Sequence, residues 1–356
     1  MMDIYNLWLS SMMGIVDSRK LNLILSIYGS AREAFNDKAI ARTASLSAQA
    51  EKGFSARQNL EYIDDLLQKM ETLGIAYFSR SHERFPAPLK EIPDPPVGIF
   101  YIGTLPADEH KIAVIGSRKC SEYGLLAARL LSRPLAQAGV VIVSGMARGV
   151  DSMAHRGALQ GGGKTIAVLG CGVDICYPAE NKALREEIIN NGCVLSEYPP
   201  GTTPLPAFFP ARNRIISGLS QGVIVAEAGK KSGTLITVDQ AIEQGREVFA
   251  VPGNISSRLS EGTNQLIREG ATPVSDHTDV LFALGITPEE ENVDNSNILL
   301  ATEEKQVYDS LNFEPVSIDM LMQICNLDPG RILLICAQLE IKGLIRKLPG
   351  QRYVRN

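Results

Sequence analysis

The sequence predicts an α/β protein with a parallel sheet covered by helices, an all-α domain before it and a winged helix after it. Three observations carry this reading. Between residues 111 and 285, short apolar β-branched runs alternate with segments of helical period. Residues 1–80 keep apolar side chains at helical spacing, and residues 299–356 read as three helices followed by a glycine-turned hairpin. Strands that are apolar throughout and alternate with helices belong to a parallel sheet buried on both faces.

The N-terminal segment shows its helices in "LNLILSIYGSAREAF" and "NLEYIDDLLQKMETLGI". Within it, "MMGIVDSRKLNLILSIYGS" places a glycine turn before a helix that ends at Gly29. That is the pattern of a helix-hairpin-helix or SAM-like unit, and equally of a plain helical packing unit. The prolines of "RFPAPLKEIPDPPVGIFYIG" exclude helix from most of that stretch and mark a boundary near residue 80. The domain over 81–285 then sets out its strands as "IAVIG", "VVIVSG", "TIAVLG", "CVLSEY", "GVIVAEA" and "EVFAVPG". Helices are expected between them at 121–138, 149–160, 181–191, 211–219, 233–244 and 262–269. Right-handed crossovers place the C-terminal ends of these strands on one sheet edge, where ligands bind. An acidic, polar linker over 286–298 leads to the winged helix.

Composition narrows the function. Lys and Arg number 35 against 40 Asp and Glu, a net charge of −5, so any polyanion site must be a local gathering of cations. The six cysteines form no CxxC pair and no His-rich cluster. They read as free thiols in a reducing cytoplasm, with no metal and no cofactor implied. The N-terminus lacks a basic region ahead of its apolar residues, and no apolar run approaches the roughly 20 residues of a membrane span. A cytoplasmic protein without membrane attachment is expected.

The loops after the strands are the informative part. After "IAVIG" stand Ser117 and Arg118, where a dinucleotide site would carry further glycines. After "VVIVSG", Gly145 and Gly149 flank Arg148 at a helix start. After "CVLSEY", a proline-restrained loop carries Phe208 and Phe209 into a helix holding Arg212, Asn213 and Arg214. After "GVIVAEA", the run Gly229, Lys230, Lys231, Ser232, Gly233 and Thr234 opens another helix. Helix N-termini and arginines both favour phosphate. Convergence of the four loops on one edge predicts an anion site.

The acids nearby do not make an enzyme site. Asp151 lies one turn into its helix, the place of a dipole-compensating or capping carboxylate. Glu197 and Glu227 follow strands without a paired carboxylate, and "GGGKT" at 161–165 precedes a strand, the wrong end for a P-loop lysine. The aromatic pair beside the arginines points to something longer than a nucleotide. Unpaired nucleic acid is held by cations along its phosphates and aromatic faces under its bases. Of the pair, one ring is expected in the core and Phe209 free to stack.

These motifs together resemble the bacterial DNA processing protein A family (DprA, also called Smf). The matching stretches are "IAVIGSR", "VIVSGMARGVDSMAHRGAL", "TIAVLGCGVDICYPAENKAL", "LSEYPPGTTPLPAFFPARNRIISGLS", "AGKKSGTLITVDQAIEQGREVFAVPGNI" and "EGTNQLIREGA". The resemblance implies an extended Rossmann-like sheet and a non-enzymatic protein that binds single-stranded DNA. It further implies protection of incoming DNA during natural transformation, loading of the RecA recombinase, and a homodimer formed through the Rossmann-like domain. Carried over by motif, the DNA site would use Gly116, Ser117, Arg118, Phe209, Arg212, Asn213 and Arg214, with Lys182 nearby. Arg148, Lys230, Ser232 and Gly233 join them by loop position.

Two other readings stand beside it. One is a phosphoribohydrolase of the related Rossmann group, which is expected to carry "PGGxGT" followed by a catalytic Glu. Here the stretch is "AGKKSGTLIT", with no Glu after Thr234, so Glu227 would have to serve. The other is a transcription regulator working through the winged helix. Its third helix, "GRILLICAQLEIKG", is apolar where a DNA reader shows polar side chains, which favours a packing or protein-contact role.

Overall fold

The computed structural model describes residues 3–106, 110–286, 302–311, 315–342 and 344–355. The chain divides into two units, Met1–Pro288 and Glu289–Asn356. Most of the linker expected at 286–298 lies outside the described residues.

The first unit opens with α1 (Ile4–Ser10), α2 (Ser18–Tyr28), α3 (Ala31–Asn36), α4 (Ile40–Thr43), α5 (Ala48–Arg57) and α6 (Leu60–Thr72). Asp3, Asp17, Ser30, Ser47 and Asn59 cap five of these helices by accepting first-turn amides. The helices close around Trp8, which meets Phe35 and Phe54 edge-on. Val97, Tyr198 and Phe208 from the sheet region complete that core.

The remainder of the unit runs β1 (Ala76–Ser79), α7 (Ala87–Lys90), β2 (Gly98–Gly103), β3 (Lys111–Gly116), α8 (Glu122–Gln137), β4 (Val141–Ser144) and α9 (Val150–Gln160). It continues with β5 (Thr165–Val168), α10 (Lys182–Asn190), β6 (Gly192–Ser196), α11 (Phe208–Leu219), β7 (Gly222–Glu227) and α12 (Thr234–Glu243). Last come β8 (Glu247–Ala250), α13 (Glu261–Arg268), β9 (Thr272–Pro273) and α14 (His277–Ala283). The six helices read between the strands fall within a few residues of their expected bounds.

The strands form one nine-stranded sheet in the order β1-β2-β6-β5-β4-β3-β7-β8-β9. From β6 to β9 every pairing is parallel, whereas β2 is antiparallel to both β1 and β6. The six strands expected between 111 and 285 are thus all parallel, and the two antiparallel strands precede them. The prolines of residues 86–96 end before β2, leaving "GIFYIG" free to pair, and β1 hides as four residues behind α6. The boundary read at residue 80 therefore falls just after a strand of the sheet. Two apolar cores cover the sheet faces, one centred on Val143, Val225 and Ile215, the other on Val114, Ile142 and Ala154. Strands are added outward on one side of β3 up to β6, and on its other side from β7 to β9. The topological switch point therefore lies between β3 and β7, the place where an open α/β sheet leaves a crevice.

The second unit contains α15 (Thr302–Ser310), β10 (Val316–Ser317), α16 (Ile318–Cys325), α17 (Pro329–Ile341), β11 (Ile345–Leu348) and β12 (Arg352–Arg355). Its strands order as β10-β12-β11, a winged helix packed around Val307, Leu321, Ile335 and Tyr353. Third helix α17 buries Ile332, Ile335, Cys336 and Leu339 and exposes Leu333 and Leu334. Among the described residues, no single helix is long and apolar enough to cross a membrane.

Candidate functional site

A cleft of about 600 Å³ opens at the switch point. Its walls are the turn after β3, the start of α9, Tyr177 after β5, and the first turns of α11 and α12. Gly116, Ser117, Arg118, Phe209, Arg212, Asn213, Ser232 and Gly233 all line it, so residues from opposite halves of the domain meet there.

Close backbone packing sets the first wall. A Cβ on Gly116 would stand 2.6 Å from Val150 Cγ2. Gly149 has φ +77°, and a Cβ there would meet the Ser117 carbonyl oxygen at 2.5 Å. Both glycines let α9 press against the β3 turn. The turn is then tied from the other side. Ser117 N donates to the Glu227 carbonyl at 2.8 Å. The Ser121 amide and hydroxyl donate to the two Glu227 carboxylate oxygens at 2.7 and 2.6 Å. Glu227 is 1% exposed and anchors this loop, which leaves Arg118 and Lys119 projecting as exposed cations from a tethered turn. Its engaged carboxylate stands outside the cleft lining, whereas the buried Asp151 is part of it.

The aromatic pair divides its work. Phe208 stacks on Tyr198, with centroids 4.4 Å apart, and packs with the helical core. Phe209 faces the cleft, 5.4 Å from the Tyr177 ring at an interplanar angle of 30°. The Arg118 guanidinium carbon lies 5.1 Å from the Phe209 centroid, a cation–π contact. On α11 the cleft residues Phe209, Arg212, Asn213 and Ile216 recur at i, i+3, i+4 and i+7, one face of a helix.

Arg212 touches the cleft but is only 3% exposed. Its Nη1 donates to the carbonyls of Gly145, at 2.9 Å, and Val168, and its Nε donates to Asn213 Oδ1 at 3.2 Å. It thereby joins the ends of β4 and β5. Burial draws its pKa down to about 10, while the charge of Asp151 pulls the other way. Asp151, in the first turn of α9, accepts the amides of Gly145 and Ala147 in the loop before it and so ties that loop to the helix instead of capping it, and burial raises its carboxyl pKa against the pull of Arg212. Arg212 thus positions the cleft floor more than it offers a free guanidinium.

Arg214 corrects the expectation. It lies two residues on, about 200° around the helix from Arg212, and faces away from the cleft. Its Nη1 and Nη2 donate to Glu197 at 3.0 and 2.6 Å, and its Nε donates to Asp94 at 3.2 Å. It is 6% exposed and absent from the cleft lining. Asp94 also accepts from Asn22 Nδ2 at 3.0 Å and from the Ser18 hydroxyl, so this cluster fastens α2 to α11. Burial raises the Glu197 carboxyl pKa, opposed by the Arg214 charge.

Three further expected residues lie outside the lining. Arg148 is exposed but paired with Glu180, Nη2 to Oε2 at 2.7 Å. Lys182 opens α10 and Lys230 sits on the loop before α12, both exposed on the flanks. Lys119 and Thr234, on loops expected at the site, and Tyr177 and Ile236, which were not expected there, also line the cleft. Tyr177 had a signal available: it stands in "CYPAEN", directly after a strand-end loop. Among the described residues, no three His, Cys, Asp or Glu side chains cluster as a metal site would require.

Comparison with known proteins matches residues 76–285 to the family described as DNA recombination-mediator protein A, and residues 294–351 to the DprA winged helix domain. The chain belongs to this family. It is 33% identical over 343 residues to protein Smf of a Synechocystis species, covering 86% of each chain. DNA processing protein DprA of Streptococcus pneumoniae is 50% identical over 219 residues, 61% of this chain and 77% of that one. The X-ray structure of the S. pneumoniae protein superposes with a TM-score of 0.68 at 40% identity, covering 79% of this chain and 98% of that one. A Helicobacter pylori DNA processing protein A structure, described for its single-stranded DNA binding mode, aligns with a TM-score of 0.53 at 32% identity. It covers 59% of this chain and 95% of its own. The family places the chain among DNA-processing recombination mediators.

Proposed function

We propose that the switch-point cleft binds single-stranded DNA, and that the protein acts by binding rather than by chemistry. The observation that carries this reading is Arg118: an exposed cation resting on an aromatic ring, at a sheet edge where helix starts converge. Arg118 and Lys119 take phosphates, Phe209 offers a face to an unpaired base, and Ser117, Asn213, Ser232 and Gly233 supply polar and backbone groups around the strand. Arg212 holds the floor. Lys182 and Lys230 extend the path on its flanks, and Arg148 braces its neighbouring loop through Glu180. The H. pylori relative supports the same ligand class.

Beyond binding, the recombination-mediator family supports a protein that shields single strands and hands them to RecA recombinase, as in natural transformation, working as a homodimer through its Rossmann-like domain. The test is titration with oligothymidine over a salt series. Log K should fall by about 0.7 per phosphate neutralised per log unit of salt. Arg118→Ala should weaken binding several-fold at unchanged thermal stability and lower the salt slope by roughly one phosphate's share. Full affinity in Arg118→Ala removes the cleft from consideration.

A further inference from the structure

We infer that Tyr177 is the outer half of a two-ring stacking platform and takes an unpaired base of the bound strand. This rests on the reading of the cleft as a single-strand site and adds a contact to it. Tyr177 is 43% exposed although its ring is stacked on Phe209. With one side against Phe209, its exposure belongs to the rest of the ring, which borders the cleft. A tyrosine left this open would ordinarily bury its apolar body, and here the surrounding loop holds it in place instead.

The segment just after it, residues 180 and 181, is braced. Asn181 Nδ2 donates to the Met146 carbonyl at 2.9 Å and to the Ser152 hydroxyl at 2.8 Å. Glu180 is held by Arg148. These contacts tie the Tyr177 loop to the β4–α9 loop, so the ring is presented ready-placed and loses little freedom on binding. Arg118 over Phe209 and Tyr177 beside Phe209 then bring one cation and two rings together at the cleft. Phosphates fall to the cation and bases to the rings, a division that discriminates unpaired strands from duplex, whose bases already stack on one another.

The experiment compares oligothymidine with a sugar-phosphate strand of equal length that lacks bases, using the full chain. Tyr177→Ala should weaken oligothymidine binding roughly ten-fold, near the low end of what one stacked base contributes, and leave the abasic strand unchanged. Tyr177→Phe should bind like the parent. Tyr177→Leu, which keeps the apolar bulk for folding, should show the loss seen with alanine. Equal loss on both strands, or loss on neither, overturns the platform. Failure of the parent chain to bind oligothymidine at all would instead overturn the reading of the cleft.

Discussion

Replacing Arg214 by methionine separates structure from ligand contact at an expected site residue that the fold has taken for itself. The guanidinium is enclosed by Glu197 and Asp94, with side-chain exposures of 8% for the arginine, 3% for the glutamate and 19% for the aspartate. Methionine fills the volume but leaves two carboxylates without a counter-charge. Breaking a buried pair from one side costs about 3–5 kcal/mol, most of it the unpaired charge left behind. The fully enclosed Glu197 puts this case toward the upper half of that range, and the partial exposure of Asp94 moderates it. Urea unfolding of the parent, of Arg214→Met, of Glu197→Gln and of the double variant measures the coupling directly. The double variant should recover a large part of the loss, because the glutamine removes the stranded charge. Single-strand affinity of Arg214→Met, measured well below its unfolding midpoint, should stay near that of the parent. A stability cost below about 1 kcal/mol, the ordinary cost of a surface ion pair, would refute the burial argument. Intact stability with lost affinity would return Arg214 to the ligand.

Two other outcomes follow from local geometry. Gly149→Ala places a Cβ 2.5 Å from the Ser117 carbonyl at a φ of +77°, so stability should fall by at least 1 kcal/mol, and single-strand affinity should fall with it as the Arg118 turn is displaced. Unchanged melting and binding in that variant would show that the turn yields freely. His155 is fully buried, and its Nδ1 lies 2.7 Å from Thr165 Oγ1, whose own proton goes to the Ile142 carbonyl. Nδ1 is therefore the donor, and Nε2 is left buried without a partner. Burial, reinforced by Arg212, lowers the pKa to about 3 from the usual 6.5. Below pH 6.5 the unfolded chain gains a proton that the folded chain refuses, so this residue makes stability fall as pH falls toward about 3. The stability penalty of His155→Gln should accordingly shrink by roughly 3 kcal/mol between about pH 7.5 and pH 4.5. A penalty independent of pH, read by denaturant titration at both values, would contradict the neutral buried imidazole.

The alternation of β-branched runs and helical segments was legible because each buried strand of the parallel region is apolar on both faces. The convergence of Ser117, Phe209 and Ser232 followed from topology alone, since right-handed crossovers bring those loops to one edge. What escaped was side-chain direction. Arg212 and Arg214 are two letters apart in an identical context, and only the distant carboxylates Asp94 and Glu197 decide that one faces the seam. Tyr177 escaped for a related reason: its stacking partner, Phe209, comes from another strand-end loop. β1 and β2 were hidden by a long helix and a proline-rich stretch, whose local signals outweighed strands of four and six residues. The apolar third helix of the winged unit was read directly, since Ile332, Ile335 and Leu339 do fill its core.

Helix α11 serves two neighbours at once. Phe209, Arg212 and Asn213 look into the cleft, while Phe208 and Arg214 lock onto the helical segment that precedes the sheet. That segment is therefore no detachable appendage. Trimming the chain to its sheet would strip the cover from Phe208 and Tyr198 and loosen the same rod that carries the cleft wall. A shortened version would report the grip of a slackened hand.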